Sequence, residues 1–317
     1  MKPNQANNLI SVIMPCYNAA AHIASSIASV LQQSHNNLEL IIINDGSSDN
    51  SAEIVRSIYD DRVILIEQTN KGVCATRNRG ITAAKGAFIA FLDADDSWAP
   101  DCLEKLYSAL VADKEAALAY CGWQNTGISG GKGEPFVPPN YEDADKIAKV
   151  FTDSRWPIHA ALTRTEYIVD CGGFDEQYPT SEDFGLWARI AIRHKIILIP
   201  EVLAYYHHHG DEQATSNKIR LARNHMLVQQ KLINEIPDII STLGHKQANG
   251  IISSRLLQRA FEAYWARDLD TAHAIFRTAL FSGHWKLDGL KYQLFSLLPV
   301  ALYKKLILAR TQPDVPH

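Results

Sequence analysis

The chain opens with short apolar runs separated by segments whose apolar residues recur every three or four positions. Residues 10–14 make the first run, closed by Pro15, and Ile23, Ile27, Val30 and Leu31 then fall on one helical face. Residues 38–43 form an apolar run continuous enough for a strand buried on both sides. Asp45-Gly46-Ser47-Ser48-Asp49 is a turn, and Asn50 with Glu53 three residues on marks a helix start. Further strands are expected at 63–67, at 87–92 running into Asp93, and at 117–121. A helix between them ends near Gly86, and another starts near Pro100 with Leu103, Leu106 and Leu110 facing inward. Such alternation implies right-handed crossovers and a mainly parallel sheet, an α/β fold. Ligands bind such sheets at the carboxyl ends of the strands.

Residues 124–141 are rich in Gly and Pro and read as a long loop, the kind that serves as a lid or binding segment. A helix over 142–151, a strand over 159–163, a helix from Glu182 and a strand pair at 196–199 and 202–206 complete this half. From residue 216 the pattern is helical throughout, so two domains are expected, 1–215 and 216–317. Within the second, Ala263, Tyr264, Ala272, Phe276, Ala279 and Leu280 match the spacing of one tetratricopeptide-like helix pair. One such pair cannot bury its own apolar face, so it is expected to pack on neighbours.

Composition narrows the classes. The 317 residues are 46% hydrophobic and 21% charged, ordinary for a globular protein. A formal charge of −4 argues against a nucleic-acid partner. Five scattered cysteines with no CxxC pair fit reduced thiols and a cytoplasmic setting. The first eight residues lack the basic-then-apolar order of a secretory signal, and no run approaches the roughly 20 apolar residues a membrane span needs. Residues 294–308 are apolar, with Lys304, Lys305 and Arg310 at the end, and suggest peripheral contact with an inner membrane face, or packing against the catalytic domain or a second subunit.

Four polar clusters fall where strands should end or a helix should open: Asp45; Asn70, Gly72, Arg77 and Asn78; Asp93-Ala94-Asp95-Asp96; and Glu182-Asp183. On extended backbone Asp93 and Asp95 point to one face. Two carboxylates there suit a hard divalent cation that keeps water and phosphate oxygens in its shell; the bland alternative is a polar strand end whose aspartate caps the next helix.

The blocks Val12-Ile13-Met14-Pro15-Cys16-Tyr17-Asn18, Ile43-Asn44-Asp45-Gly46-Ser47-Ser48-Asp49, Asn70-Lys71-Gly72-Val73-Cys74-Ala75-Thr76-Arg77-Asn78 and Phe91-Leu92-Asp93-Ala94-Asp95-Asp96 together resemble the family 2 glycosyltransferases of the GT-A fold. Gly172-Gly173-Phe174-Asp175, Ser181-Glu182-Asp183 and Leu186-Trp187-Ala188-Arg189 continue the resemblance, which covers about residues 9–215. It implies a three-layer sandwich and inverting transfer of a sugar from a nucleotide-diphosphate donor, UDP-sugars ahead of GDP- and dTDP-sugars. The acceptor would be a hydroxyl of a carbohydrate or lipid-linked glycan, and the cofactor Mn²⁺ or Mg²⁺.

By the same resemblance, Pro15, Tyr17, Asn18, Asp45, Asn70, Gly72, Arg77, Asp93 and Ala94 frame the nucleotide, with Asp45 accepting from the base. Asp95 and His209 belong to the metal, Asp183 is the catalytic base, and Glu182, Trp156 and His159 lie on the acceptor side. A helix start should hold the Asp183 carboxyl low, while Glu182 opposes that. Trp123, Trp156 and Trp187 are rings that could stack on sugars, Trp187 by its spacing with Ile190 being core instead. His207 stands where the family often has Arg and stays unassigned. A sugar nucleotidyltransferase is disfavoured, because residues 15–18 lack the Gly-rich, Arg-containing loop that should follow the first strand. A catalytically silent nucleotide-sugar-binding or scaffold protein is the remaining alternative.

Overall fold

The computed structural model describes residues 8–128, 131–208 and 217–309. The chain separates into two compact units, residues 1–213 and 214–317. The first runs β1 (Ile10–Cys16), α1 (Ile23–Leu31), β2 (Leu38–Asp45), α2 (Ser51–Arg56), β3 (Val63–Gln68), α3 (Val73–Ala83), β4 (Phe88–Phe91), β5 (Ser97–Trp98) and α4 (Cys102–Ala112). It continues with β6 (Ala116–Ile128), β7 (Gly131–Phe136), α5 (Lys146–Thr152), β8 (Ala161–Arg164), α6 (Thr165–Asp170), α7 (Glu182–Ala191) and β9 (Lys195–His207). The second unit is helical: α8 (Lys218–Glu235), α9 (Pro237–Trp265), α10 (Leu269–Phe281), α11 (Leu290–Phe295) and α12 (Val300–Ala309).

One mixed sheet carries the first unit, in the order β3-β2-β1-β4-β8-β6-β9-β5, with β7 hydrogen-bonded to β6. The apolar runs of β1 and β2 are buried because parallel neighbours flank them: β2 beside β1, β3 beside β2, β4 beside β1. β8 enters antiparallel between β4 and β6, and β9 returns parallel to β6. The first four strands thus present their carboxyl ends to one rim, at Cys16, Asp45, Gln68 and Phe91. α3 lies close on β1: a Cβ built on Gly80 would stand 2.4 Å from Ile13 Cγ2.

Two expectations are corrected. The segment read as a long loop after Gln124 is largely a hairpin, with β6 extending to Ile128 and β7 returning from Gly131 to Phe136. Pairing of β6 with β9 on its other side supplies the backbone partners that its Gly-rich composition did not advertise. The strand pair expected on either side of Pro200 is one strand, β9; Pro200 and Glu201 are extra residues where pairing steps from Cys121–Ile199 to Gly122–Val202. In the second unit, Ala263, Ala272, Phe276 and Ala279 are buried on α9 and α10.

Candidate active site

The rim is assembled by hydrogen bonds between loops that follow different strands. Asn18 adopts a left-handed conformation (φ 49°), and its Oδ1 accepts the Ser48 N–H at 2.8 Å. Its own N–H donates to Ser47 Oγ at 3.0 Å. Burial opposes charge on Asp49, but it accepts from the Ser51 hydroxyl, from the Ala20 N–H at 2.9 Å and from the Ser51 N–H at 3.0 Å, and these bonds hold its carboxyl below the usual range. The loops after β1 and β2 are therefore one unit, with Pro15 half-buried at its root and Tyr17 exposed on it.

Asp45 is buried and ties the next loop to this one. Its Oδ1 accepts from Gln68 Nε2 and from the Lys71 N–H, both at 2.8 Å, and its Oδ2 accepts the Gly72 N–H at 2.9 Å. A carboxylate offers about four acceptor positions, so these three bonds leave about one over. Gly46 (φ 74°) lets the loops close, since a Cβ there would lie 2.9 Å from the Asn70 nitrogen. Asn70 and Gly72 are exposed on the rim, Gly72 at φ 87° leading into α3.

Arg77, one turn into α3, is the centre of the arrangement. Its side chain is 3% exposed, with one nitrogen 2.7 Å from Asp93 and another 2.8 Å from Glu182, and the guanidinium lies 5.4 Å from the centre of the Phe174 ring. Burial would push Arg77 down, but the two carboxylates outweigh it and raise it, so it stays charged. Asn78 beside it exchanges two bonds with the Phe174 backbone, at 2.8 and 3.0 Å, which fixes the chain leading to α7.

Asp93 and Asp95 are half-buried in the turn after β4. That turn is pinned from below: Ser26 Oγ on α1 donates to the Ala94 carbonyl at 2.9 Å, and Asp96 is buried. Asp96 stands 3.0 Å from His159 Nδ1 and accepts the His207 N–H at 2.9 Å, joining the turn to the end of β9. Burial disfavours charge on His159, but the Asp96 carboxylate more than compensates and raises it.

Asp183 lies in the first turn of α7 and accepts the Phe184 N–H at 2.7 Å. Burial raises its carboxyl; the Phe184 bond and Arg77 oppose the rise, and Asp153 and Asp93 add to it. The low value expected from a helix start is corrected, because burial outweighs the Phe184 bond and Arg77. Burial raises Glu182 too, against Arg77, and the Asp183 charge adds to the rise.

Two of the acceptor-side residues, Trp156 and His159, are buried. Trp156 is enclosed, stacked on Tyr120 at 4.5 Å and edge-on to Tyr141 at 5.2 Å, so it has no open face for a sugar. His159 is buried under the Asp93–Asp96 turn, and Glu182 is clamped on Arg77. Trp187 is core, as its helical spacing predicts. Trp123, against Phe136 of the hairpin, is the part-exposed indole of the set. Gln68 went unnoticed in the sequence, and Asp96 was named in its cluster without a role; the pairing of Gln68 with Asp45 across β2 and β3 is the signal that finds the first.

His209 lies outside the described residues. Among the described residues no group of three or more His, Cys, Asp or Glu is placed to hold an ion. What Asp95 offers is a hard oxygen donor beside further carboxylates, which fits a cation that takes one or two carboxylates and finds its other ligands on phosphate and water. A diphosphate entering among Asp93, Asp95, Glu182 and Asp183, with Arg77 already shared by two of them, would also need such a countercharge.

Residues 11–149 match the family model for glycosyl transferase family 2. That stretch, less than half of the chain, is similar to the family. It is 26% identical over 230 residues to a chondroitin synthase of Pasteurella multocida, an alignment covering 71% of this chain and 23% of that protein. The structure of S. aureus TarS residues 1–349 with UDP-GlcNAc has a TM-score of 0.62 at 19% identity, covering 95% of this chain and 83% of the other. A mannosyltransferase from Pyrobaculum calidifontis, solved with GDP-Man and Mn²⁺, has a TM-score of 0.57 at 19% identity, covering 97% and 88%. The fold of those two structures is that of this chain, a GT-A α/β sandwich with a helical C-terminal region. The chain spans 23% to 31% of the length of the chondroitin synthase and of a Rickettsia felis glycosyltransferase that it matches.

Proposed function

We propose that the protein is an inverting glycosyltransferase that moves a sugar from a nucleotide-diphosphate donor to an acceptor hydroxyl, in the assembly of a polysaccharide or another glycan. The observation that carries this reading is the convergence of Asp93 and Glu182 on the buried Arg77, which brings the nucleotide-side turn and the start of α7 to one place. Asp45 is the base-reading group in this proposal, its remaining acceptor position suiting the imide N–H of a uracil, which keeps UDP-sugars first among donors. Asn18, Asn70 and Gly72 border the nucleoside, and Asp93 and Ala94 its ribose and phosphates.

A divalent cation held by Asp95 and the donor phosphates would supply Lewis-acid stabilisation of the leaving diphosphate. Asp183 receives the proton of the acceptor hydroxyl as the acceptor oxygen forms its bond to the anomeric carbon. The bond from that carbon to the phosphate oxygen breaks, and the nucleoside diphosphate leaves with the electron pair. Arg77 acts by position: it pairs with Asp93 and Glu182 and leaves Asp183 to serve as the base. The free thiols of the five cysteines suit a reducing, cytoplasmic setting for this activity.

The test is a comparison of the intact chain with Asp183→Asn, using UDP-sugars, Mn²⁺ and a panel of glycan acceptors. The substitution is expected to lower transfer by about 10² to 10⁴, the usual worth of a positioned base. Thermal stabilisation by UDP with Mn²⁺ should survive it, since a ligand of the folded form raises the melting point whether or not turnover follows. Binding with no turnover by the unsubstituted chain across the panel would favour the catalytically silent alternative.

A further inference from the structure

Nine of the sixteen large apolar side chains exposed among the described residues fall between Phe281 and Leu308. They sit on consecutive elements, from the end of α10 through α12. Phe281 is 69% exposed, Trp285 51% and Leu287 79%. α12 shows the cause most clearly. Tyr303 and Ile307, four apart, are buried, while Leu302 and Leu306, also four apart, stand open on another side. A helix apolar on more than its packed side has a second surface to cover. No described helix is long and apolar enough to cross a membrane, so this surface lies along something rather than through it.

Charge selects what covers it. Residues 270–309 carry Arg277, Lys286, Lys291, Lys304 and Lys305 against Asp270 and Asp288, a basic surplus in a chain of net charge −4. Lys304 is engaged with Asp270, but Lys291 and Lys305 are exposed beside the open leucines. Two copies of such a surface would bring like charges together. An anionic bilayer instead accepts leucines and an indole at the level where acyl chains meet headgroups, with lysine stems lying along the apolar part.

We infer that the C-terminal unit docks on the surface of an anionic lipid bilayer through the open side of α12 and the Trp285–Leu287 turn. The membrane then holds the enzyme where lipid-linked material is concentrated. The inference does not depend on the transfer chemistry, and its readout needs neither donor nor acceptor.

The experiment is flotation of the full chain with vesicles of phosphatidylcholine alone or mixed with phosphatidylglycerol. The chain is expected to float with the anionic vesicles at least about 10-fold more than with neutral ones, and less at high salt, since the attraction is screened. Lys291→Gln with Lys305→Gln should weaken partitioning roughly 25-fold, about five-fold per lysine. Leu302→Ser with Leu306→Ser should abolish it while leaving the melting temperature in place, as both side chains are exposed. The idea is overturned if anionic vesicles fail to carry the chain, or if neutral ones carry it equally. It is overturned too if light scattering shows a dimer that the leucine pair dissociates, which would make a second copy the occupant.

Discussion

Arg77 shows how much one side chain decides here. It joins a carboxylate 16 positions away to another 105 positions away, with almost no water around it. Removing one member of a buried charge set leaves the others uncompensated, a loss of about 3–5 kcal/mol. Arg77→Ala is therefore expected to destabilise the protein by about that amount in a denaturant melt. Arg77→Lys should keep part of the stability and lose transfer, because an ammonium cannot reach two carboxylates with a rigid fork. The raised Asp183 carboxyl has a sign that can be read in kinetics. A base must be ionised, so activity falls as pH drops through its value, and a raised value moves that loss upward in pH. The acid limb of kcat/KM is expected above the ordinary carboxylate range near 4. A limb at or below that range would remove Asp183 from the role of base.

Among the elements, α3 and β9 illustrate opposite cases. α3 carries Arg77 and Asn78 and reaches the rim only because Gly80 lets it approach β1. Gly80→Ala puts a methyl against Ile13 and is expected to cost about 1–3 kcal/mol by overpacking. A lower melting temperature with weakened nucleotide binding would report the shift of Arg77 that follows. The pattern of α3, α1 and the first strands was readable in the sequence, because apolar spacing and turn residues are local signals and the packing agrees with them. β9 was not readable as one strand, because Pro200 is a local breaker that long-range pairing with β6 overrides. The hairpin of β6 and β7 was hidden for the same reason: its partners, not its composition, make it extended.

For the whole molecule, the order of strands and helices in the first unit, the rim where their carboxyl ends gather, and most rim residues follow from the sequence. Apolar periodicity sets which elements form, and a parallel sheet puts strand ends together whatever the details of the loops. The occupancy of each side chain does not follow from it. That Asp45 spends most of its acceptor positions on the Asn70–Gly72 loop, that Trp156 is enclosed between tyrosines, and that Asp96 is buried against His159 were settled only by tertiary packing. The same is true of the exposed leucines of α12, whose spacing alone fits a buried helix. The reason is range: backbone preference and turn chemistry act over a few residues, whereas burial and charge pairing depend on neighbours that only the folded chain brings near.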